Sequence, residues 1–155
     1  MITLGNSQPV ILVVDDDEGH AHLIRQTLAE CAPGSRFEQF GSGEAVLDFL
    51  FGRGPGRICA AGQHYVVLLD RRMPGVDGLE VLRQIKADPR LRPLVVIMLT
   101  TSDAPEEIER CHRLGCNFYV TKPVDAGLFN RVVCQIGQFI EVLQLPAAEG
   151  AGVGT

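Results

Sequence analysis

The sequence lacks most of the features that would mark a membrane, secreted or nucleic-acid-coating protein. No apolar run approaches the ~18–20 residues that a membrane-spanning helix needs. Positive charge is not in excess. Fourteen Lys and Arg stand against 19 Asp and Glu, for a net charge of −5 and a pI near 5.3. That balance excludes non-specific binding to a phosphate backbone, so no DNA and no membrane partner is expected. Met1 to Pro9 has no basic region leading into an apolar stretch, so no secretory signal is read and a cytoplasmic location is expected. The five cysteines, Cys31, Cys59, Cys111, Cys116 and Cys134, are odd in number and form no C-x-x-C pair. They read as buried, reduced thiols rather than a metal or redox site. No internal repeat is seen.

What is present is ordinary globular material. The chain has 155 residues, 46% of them hydrophobic and 21% charged, enough for one domain with a core of its own. Short apolar runs rich in β-branched or aromatic residues occur at Val10–Val14, Tyr65–Leu69, Leu94–Leu99 and Phe118–Val120, with a weaker one at Arg36–Phe40. Each is too short for a stable helix and reads as a buried strand. Amphipathic segments alternate with them. One covers 18–31 and a second 43–51. A third opens on the capping-box pattern Asp77-Gly-Leu-Glu80 and stops at Asp88-Pro89. A fourth is expected to open at Asp103-Ala-Pro-Glu106 and close at Leu114-Gly115. The last runs from about Asp125 to Leu143. Five strand-helix repeats of this kind predict an α/β domain with a parallel sheet and right-handed crossovers. The stretch from Gly52 to His64 is a long irregular connection. Pro146–Thr155 reads as a small polar, flexible tail after a domain spanning 8–145.

In an open parallel sheet, ligands bind at the carboxyl ends of the strands. The first strand ends in Asp15, Asp16 and Asp17, the third in Asp70, the fourth in Thr100 and Thr101. The fifth is followed by Thr121 and Lys122-Pro123. Ionised carboxylates within ~4 Å repel by about 4 kcal/mol per pair at an effective dielectric of 20. Lys122 offsets part of that, and a divalent cation with hard oxygen ligands would offset more. A carboxylate beside such a cation and an ammonium can attack phosphorus, with Thr100 bonding a further phosphoryl oxygen. Each residue alone has a plainer reading: Asp17 as a helix N-cap, Thr100 as a turn residue, Lys122 as a solvated loop residue. Their joint placement at successive strand ends favours the chemical one.

The segments VVDDDE, LLDRRMPGVDG, IMLTTS and YVTKP resemble the signature segments of the receiver domain of two-component response regulators, across about Gln8 to Leu145. The resemblance implies a flavodoxin-like (CheY-like) five-stranded parallel sheet, order 2-1-3-4-5, with helices on both faces. It implies Asp70 as phosphoacceptor, with Mg²⁺ (or Mn²⁺) held by Asp16 and Asp70 directly, Asp15 mainly through water, and the backbone carbonyl of Arg72. Thr100 and Lys122 would bind the phosphoryl group, Tyr119 would be the aromatic switch residue, and Lys122-Pro123 would be joined by a cis bond. The phosphoryl donor would be a sensor histidine kinase. The long connection after the second helix and the terminal FIEVLQLP are similar to stand-alone receivers paired with bacterial and cyanobacterial phytochromes, so the kinase expected is a bacteriophytochrome. Arg71 and Arg72 depart from the usual pattern, in which an apolar and a neutral polar residue follow the acceptor. Arg72 is read either as reaching over the site or as solvated.

With only about ten residues after the domain, no appended effector is expected and output falls to the domain surface. Phe139, Val142 and Leu145 lie off the core stripe of the last helix, which suggests a homodimer through the fourth helix, fifth strand and fifth helix. The protein is thus expected to be a regulatory phosphoacceptor, not an enzyme with turnover. Two other readings stay open. A phosphatase of the haloacid-dehalogenase type would use Asp15-Asp16-Asp17, but needs further acids and a cap. A degenerate receiver would serve only as a binding module.

Overall fold

Val10–Val14 contains no polar residue and is buried throughout. Five such residues cannot form a useful helix, but they can form a strand covered on both faces. The computed structural model describes residues 8–150 and makes this strand β1. It is followed by α1 (Glu18–Cys31), β2 (Arg36–Phe40), α2 (Gly43–Phe51), β3 (Tyr65–Leu69), α3 (Gly78–Ala87), β4 (Val95–Thr100), α4 (Pro105–Leu114), β5 (Phe118–Thr121) and α5 (Ala126–Val142). The sheet is parallel, in the order β2-β1-β3-β4-β5, as the resemblance implies.

Alternation along the strands divides the core. Val10, Leu12 and Val14 face α2 and α3 with Leu50, Leu82 and Ile85. Ile11 and Val13 face α1 and α5 with Ile24, Leu28, Phe129 and Ile140. The strand order places β1 and β3 at the centre, so the acids that end them lie mid-sheet at the point where the chain switches direction. The helices start where their caps dictate. Asp17, Asp77 and Asp125 accept the N–H of His20, Glu80 and Leu128 respectively, filling orphan donors of each first turn. No helix among the described residues is long and apolar enough to cross a membrane.

Four expectations are corrected. The fourth helix does not open on Asp103: its N-cap is Ala104, without a side-chain hydrogen bond, and Pro105 takes the first turn, where its fixed φ suits the helix start. The fourth strand begins at Val95, not Leu94, and extends to Thr100. Cys31 and Cys134 are not thiols but form a disulfide, because α1 and α5 lie side by side on one sheet face with the two Cα atoms 5.3 Å apart. Cys59, Cys111 and Cys116 are buried thiols as expected. The Lys122–Pro123 bond is not cis, and no cis peptide occurs among the described residues; trans is the intrinsic preference even before proline.

Residues 146–150 lie against the domain: Ala147 bridges to His64, Ala148 exchanges backbone hydrogen bonds with Gln63 and Gly62, and Arg90 donates to the Gly150 carbonyl at 3.0 Å. The backbone groups of the irregular Gly52–His64 connection need partners, and this segment supplies those of its last residues, Gly62 to His64. The remainder of the expected tail, Ala151–Thr155, and Met1–Ser7 of the N-terminal reading lie outside the described residues.

Candidate functional site

Four strand ends deliver one polar group each to the same rim. Asp15 follows β1 and is almost wholly buried, with a side chain 2% exposed. Asp16 beside it is exposed, and Asp17 is spent on capping α1. Asp70 follows β3, 14% exposed. Thr100 ends β4 and Lys122 follows β5, both buried. The Lys122 N–H donates to the Thr100 carbonyl at 2.7 Å, which carries the β4–β5 ladder one step past Thr121 and turns Lys122 inward.

The Lys122 ammonium donates to Asp15 Oδ2 at 3.0 Å and lies 3.7 Å from Asp70 Oδ1. Carboxylate oxygens of Asp15, Asp16 and Asp70 come within 4.8 Å of one another. One ammonium among three ionised carboxylates leaves an excess of negative charge, which is costly where water is largely excluded. Burial pushes the Asp70 carboxyl up from 3.8 to about 6, against the pull of Lys122 and the N–H groups of Arg71 and Arg72, while the charge of Asp15 adds to the rise. The Thr100 hydroxyl is buried without a hydrogen-bond partner, an arrangement that costs free energy unless something occupies the space beside it. A hard divalent cation fits these residues: three carboxylates, one of them facing solvent, supply oxygen ligands and leave room for water or an incoming oxyanion.

The structure thus brings Asp15, Asp16, Asp70, Thr100 and Lys122 together. Arg72 is exposed, and its amide N–H faces the Asp70 carboxylate. Tyr119 is half-buried on β5, its hydroxyl donating to the Ser102 carbonyl at 2.6 Å. Burial raises its phenol above the usual range, against that hydrogen bond. Arg71 turns toward α4 and pairs with Glu107 at 3.2 Å.

Two contributors escape a reading of local pattern. Gly78 follows the cap Asp77 and donates its N–H to the Arg71 carbonyl at 2.8 Å. A Cβ there would sit 2.2 Å from the Asp70 carbonyl oxygen, so only glycine lets α3 start this close to Asp70. The signal available was the Asp-Gly pair in the capping sequence. Glu107 carried no signal beyond its place in an acidic first turn.

Similarity to known proteins agrees with this geometry. The response regulator receiver domain family matches over residues 11–133. The chain belongs to that family. Among curated relatives, the receiver is 37% identical over 131 residues to the probable methanogenesis regulatory protein FilR2 of Methanothrix harundinacea, covering 84% of this chain and 82% of that one. It is 31% identical over 144 residues to response regulator Rcp1 of Synechocystis, covering 92% and 97%. Among solved structures, a receiver domain from Rhodospirillum rubrum superposes with a TM-score of 0.83 at 37% identity, over 91% of this chain and 99% of that one. The Mn²⁺-bound form of Rcp1 gives 0.79 at 30% identity, over 89% and 99%. The phosphorylated cyanobacterial phytochrome response regulator RcpA gives 0.78 at 28% identity, over 88% and 97%.

Proposed function

We propose that this receiver is a cytoplasmic phosphoacceptor that takes a phosphoryl group from a sensor histidine kinase onto Asp70, and that the kinase is a bacteriophytochrome. The observation that carries the reading is the Asp70 carboxylate set between the Lys122 ammonium and the Asp15 and Asp16 carboxylates, beside an unpartnered Thr100 hydroxyl. An Asp70 oxygen forms the new P–O bond as the P–N bond of the kinase phosphohistidine breaks, and the imidazole leaves with the electron pair. Lys122 and Thr100 bind two of the phosphoryl oxygens, so charge that develops there meets donors already in place. Asp15, Asp16, Asp70 and the Arg72 carbonyl would hold Mg²⁺ or Mn²⁺. When bound, the cation neutralises charge on the carboxylates and the phosphoryl oxygens. The Mn²⁺-bound state of the relative Rcp1 and the phosphorylated state of RcpA support both halves of this reading.

Withdrawal of Thr100 toward the phosphoryl group would open space on its far side for Tyr119, and so shift an existing equilibrium toward a second surface. That surface, α4-β5-α5, would join two copies. Phe118 and Phe139 meet edge to face there while both stay exposed, and Val142 extends the patch. The role is regulatory, without substrate turnover.

The test is labelling with acetyl phosphate. The wild-type chain takes up one phosphoryl group in Mg²⁺ and none in excess chelator, while Asp70→Asn, still folded by circular dichroism, takes up none. Steady release of phosphate from p-nitrophenyl phosphate would instead indicate the phosphatase reading. Mg²⁺-independent silence of the wild type would indicate a binding module.

A further inference from the structure

Arg71 directly follows Asp70, yet its side chain turns away from the acceptor. It is 19% exposed, and its Nη2 lies 3.2 Å from Oε1 of Glu107, itself 24% exposed, in the first turn of α4. The contact is single rather than bidentate. Arg71 Nε and Glu107 Oε2 are both buried, and neither has a hydrogen-bond partner. A fork-to-fork guanidinium–carboxylate pair would satisfy both atoms and hold tightly; this one is half made.

Its setting gives the half-made pair its significance. Helix α4 buries only Cys111, and its N-cap Ala104 offers no side-chain hydrogen bond. The segment leading into it, Ser102–Ala104, is tied to β5 by the Tyr119 hydroxyl at the Ser102 carbonyl. Arg71 therefore links the residue next to the acceptor to the start of the least embedded helix, across the space between β3 and β4. On the acceptor side the link is firm, because the Arg71 carbonyl is held by the Gly78 N–H.

We infer that Arg71 and Glu107 form a resting-state restraint that holds the start of α4 against the acceptor loop, and that releasing it favours the phosphoryl-bound form. Arg71 is a positioning residue here: it acts through α4 and does not touch the reacting atoms. The single contact makes the restraint weak enough to yield when the β4–α4 segment moves. It also leaves two buried polar atoms whose penalty is relieved on opening.

The first half of this inference is independent of phosphoryl chemistry; the second rests on the phosphoacceptor reading above. The experiment separates them with three full-length variants, Arg71→Met, Glu107→Gln and the charge reversal Arg71→Glu/Glu107→Arg. Without any phosphoryl donor or mimic, hydrogen exchange of α4 amides accelerates in both single variants, while α5 amides are unchanged. The reversal restores the wild-type rate. In Mg²⁺ with beryllofluoride, the single variants bind the mimic about fivefold more tightly, at the low end of ordinary coupling factors, and the reversal again returns to wild type.

Unchanged exchange in α4, or acceleration throughout the molecule that the reversal does not rescue, overturns the restraint. Faster exchange with unchanged beryllofluoride affinity overturns its link to the site. If α4 responds as stated but the wild type binds no beryllofluoride, the restraint stands and the phosphoacceptor reading fails.

Discussion

Helix α5 is joined to α1 and the turn that follows it by the Cys31–Cys134 disulfide, by Glu141 accepting the Gly34 N–H at 2.7 Å, and by Gly137 seated against Leu28 and Ala32. Helix α4, at the other end of β5, buries one side chain and starts on an alanine without a side-chain cap. One flank of the sheet is fastened along several turns and the other rests lightly on it. Free-energy differences of this kind decide which element opens first. On the proposed phosphoacceptor role of Asp70, the domain needs both: a fixed flank to hold β1 and β3 in register, and a yielding flank beside the rim.

The contrast can be broken from the fixed side first. Leu28 is fully buried between β1 and α5, so Leu28→Ala should cost about 2–5 kcal/mol in urea unfolding. A cost below about 1 kcal/mol would mean that α1 and α5 are not fastened as described. Next in size is the disulfide. Cys31→Ser/Cys134→Ser releases a link across 103 residues of sequence and should lower stability by about 2–4 kcal/mol in non-reducing buffer. An unchanged midpoint would show that the bond adds nothing to the packing around it.

The smallest effect sharpens the description of the rim. In chelator-treated protein, burial raises the folded Asp70 pKa from 3.8 to about 6, so between those values the folded state holds a proton that the unfolded state has lost. The stabilisation is complete below about pH 4 and is lost as pH rises through about 6. Asp70→Asn removes the charge, so its melting temperature should exceed that of wild type by several degrees at pH 8, with the difference disappearing near pH 4. A lower melting temperature for the variant at pH 8 would mean that Lys122 more than compensates for burial.

The fold was legible because its signals are local. An all-apolar run such as Val10–Val14 is a strand wherever it sits, and caps such as Asp77 and Asp125 act on N–H groups three residues on. Asp103 misled because the proline two residues later set the helix start instead. The rim was legible for a different reason: parallel topology sends every strand end to the same side, so residues far apart in sequence can be gathered by counting strands. Contacts that topology does not dictate stayed hidden. The approach of Cys31 to Cys134, of Arg71 to Glu107 and of Ala148 to Gln63 depends on how helices and loops pack over the sheet, and no short-range pattern encodes that.

Asp70 is proposed to receive the phosphoryl group with Lys122 and Thr100 at its oxygens. The most direct test is a crystal structure in Mg²⁺ and beryllofluoride. The adduct is expected on an Asp70 oxygen, within hydrogen-bond distance of the Lys122 ammonium and the Thr100 hydroxyl. A folded chain with Asp70 unmodified, or with the adduct on another carboxylate, would contradict it.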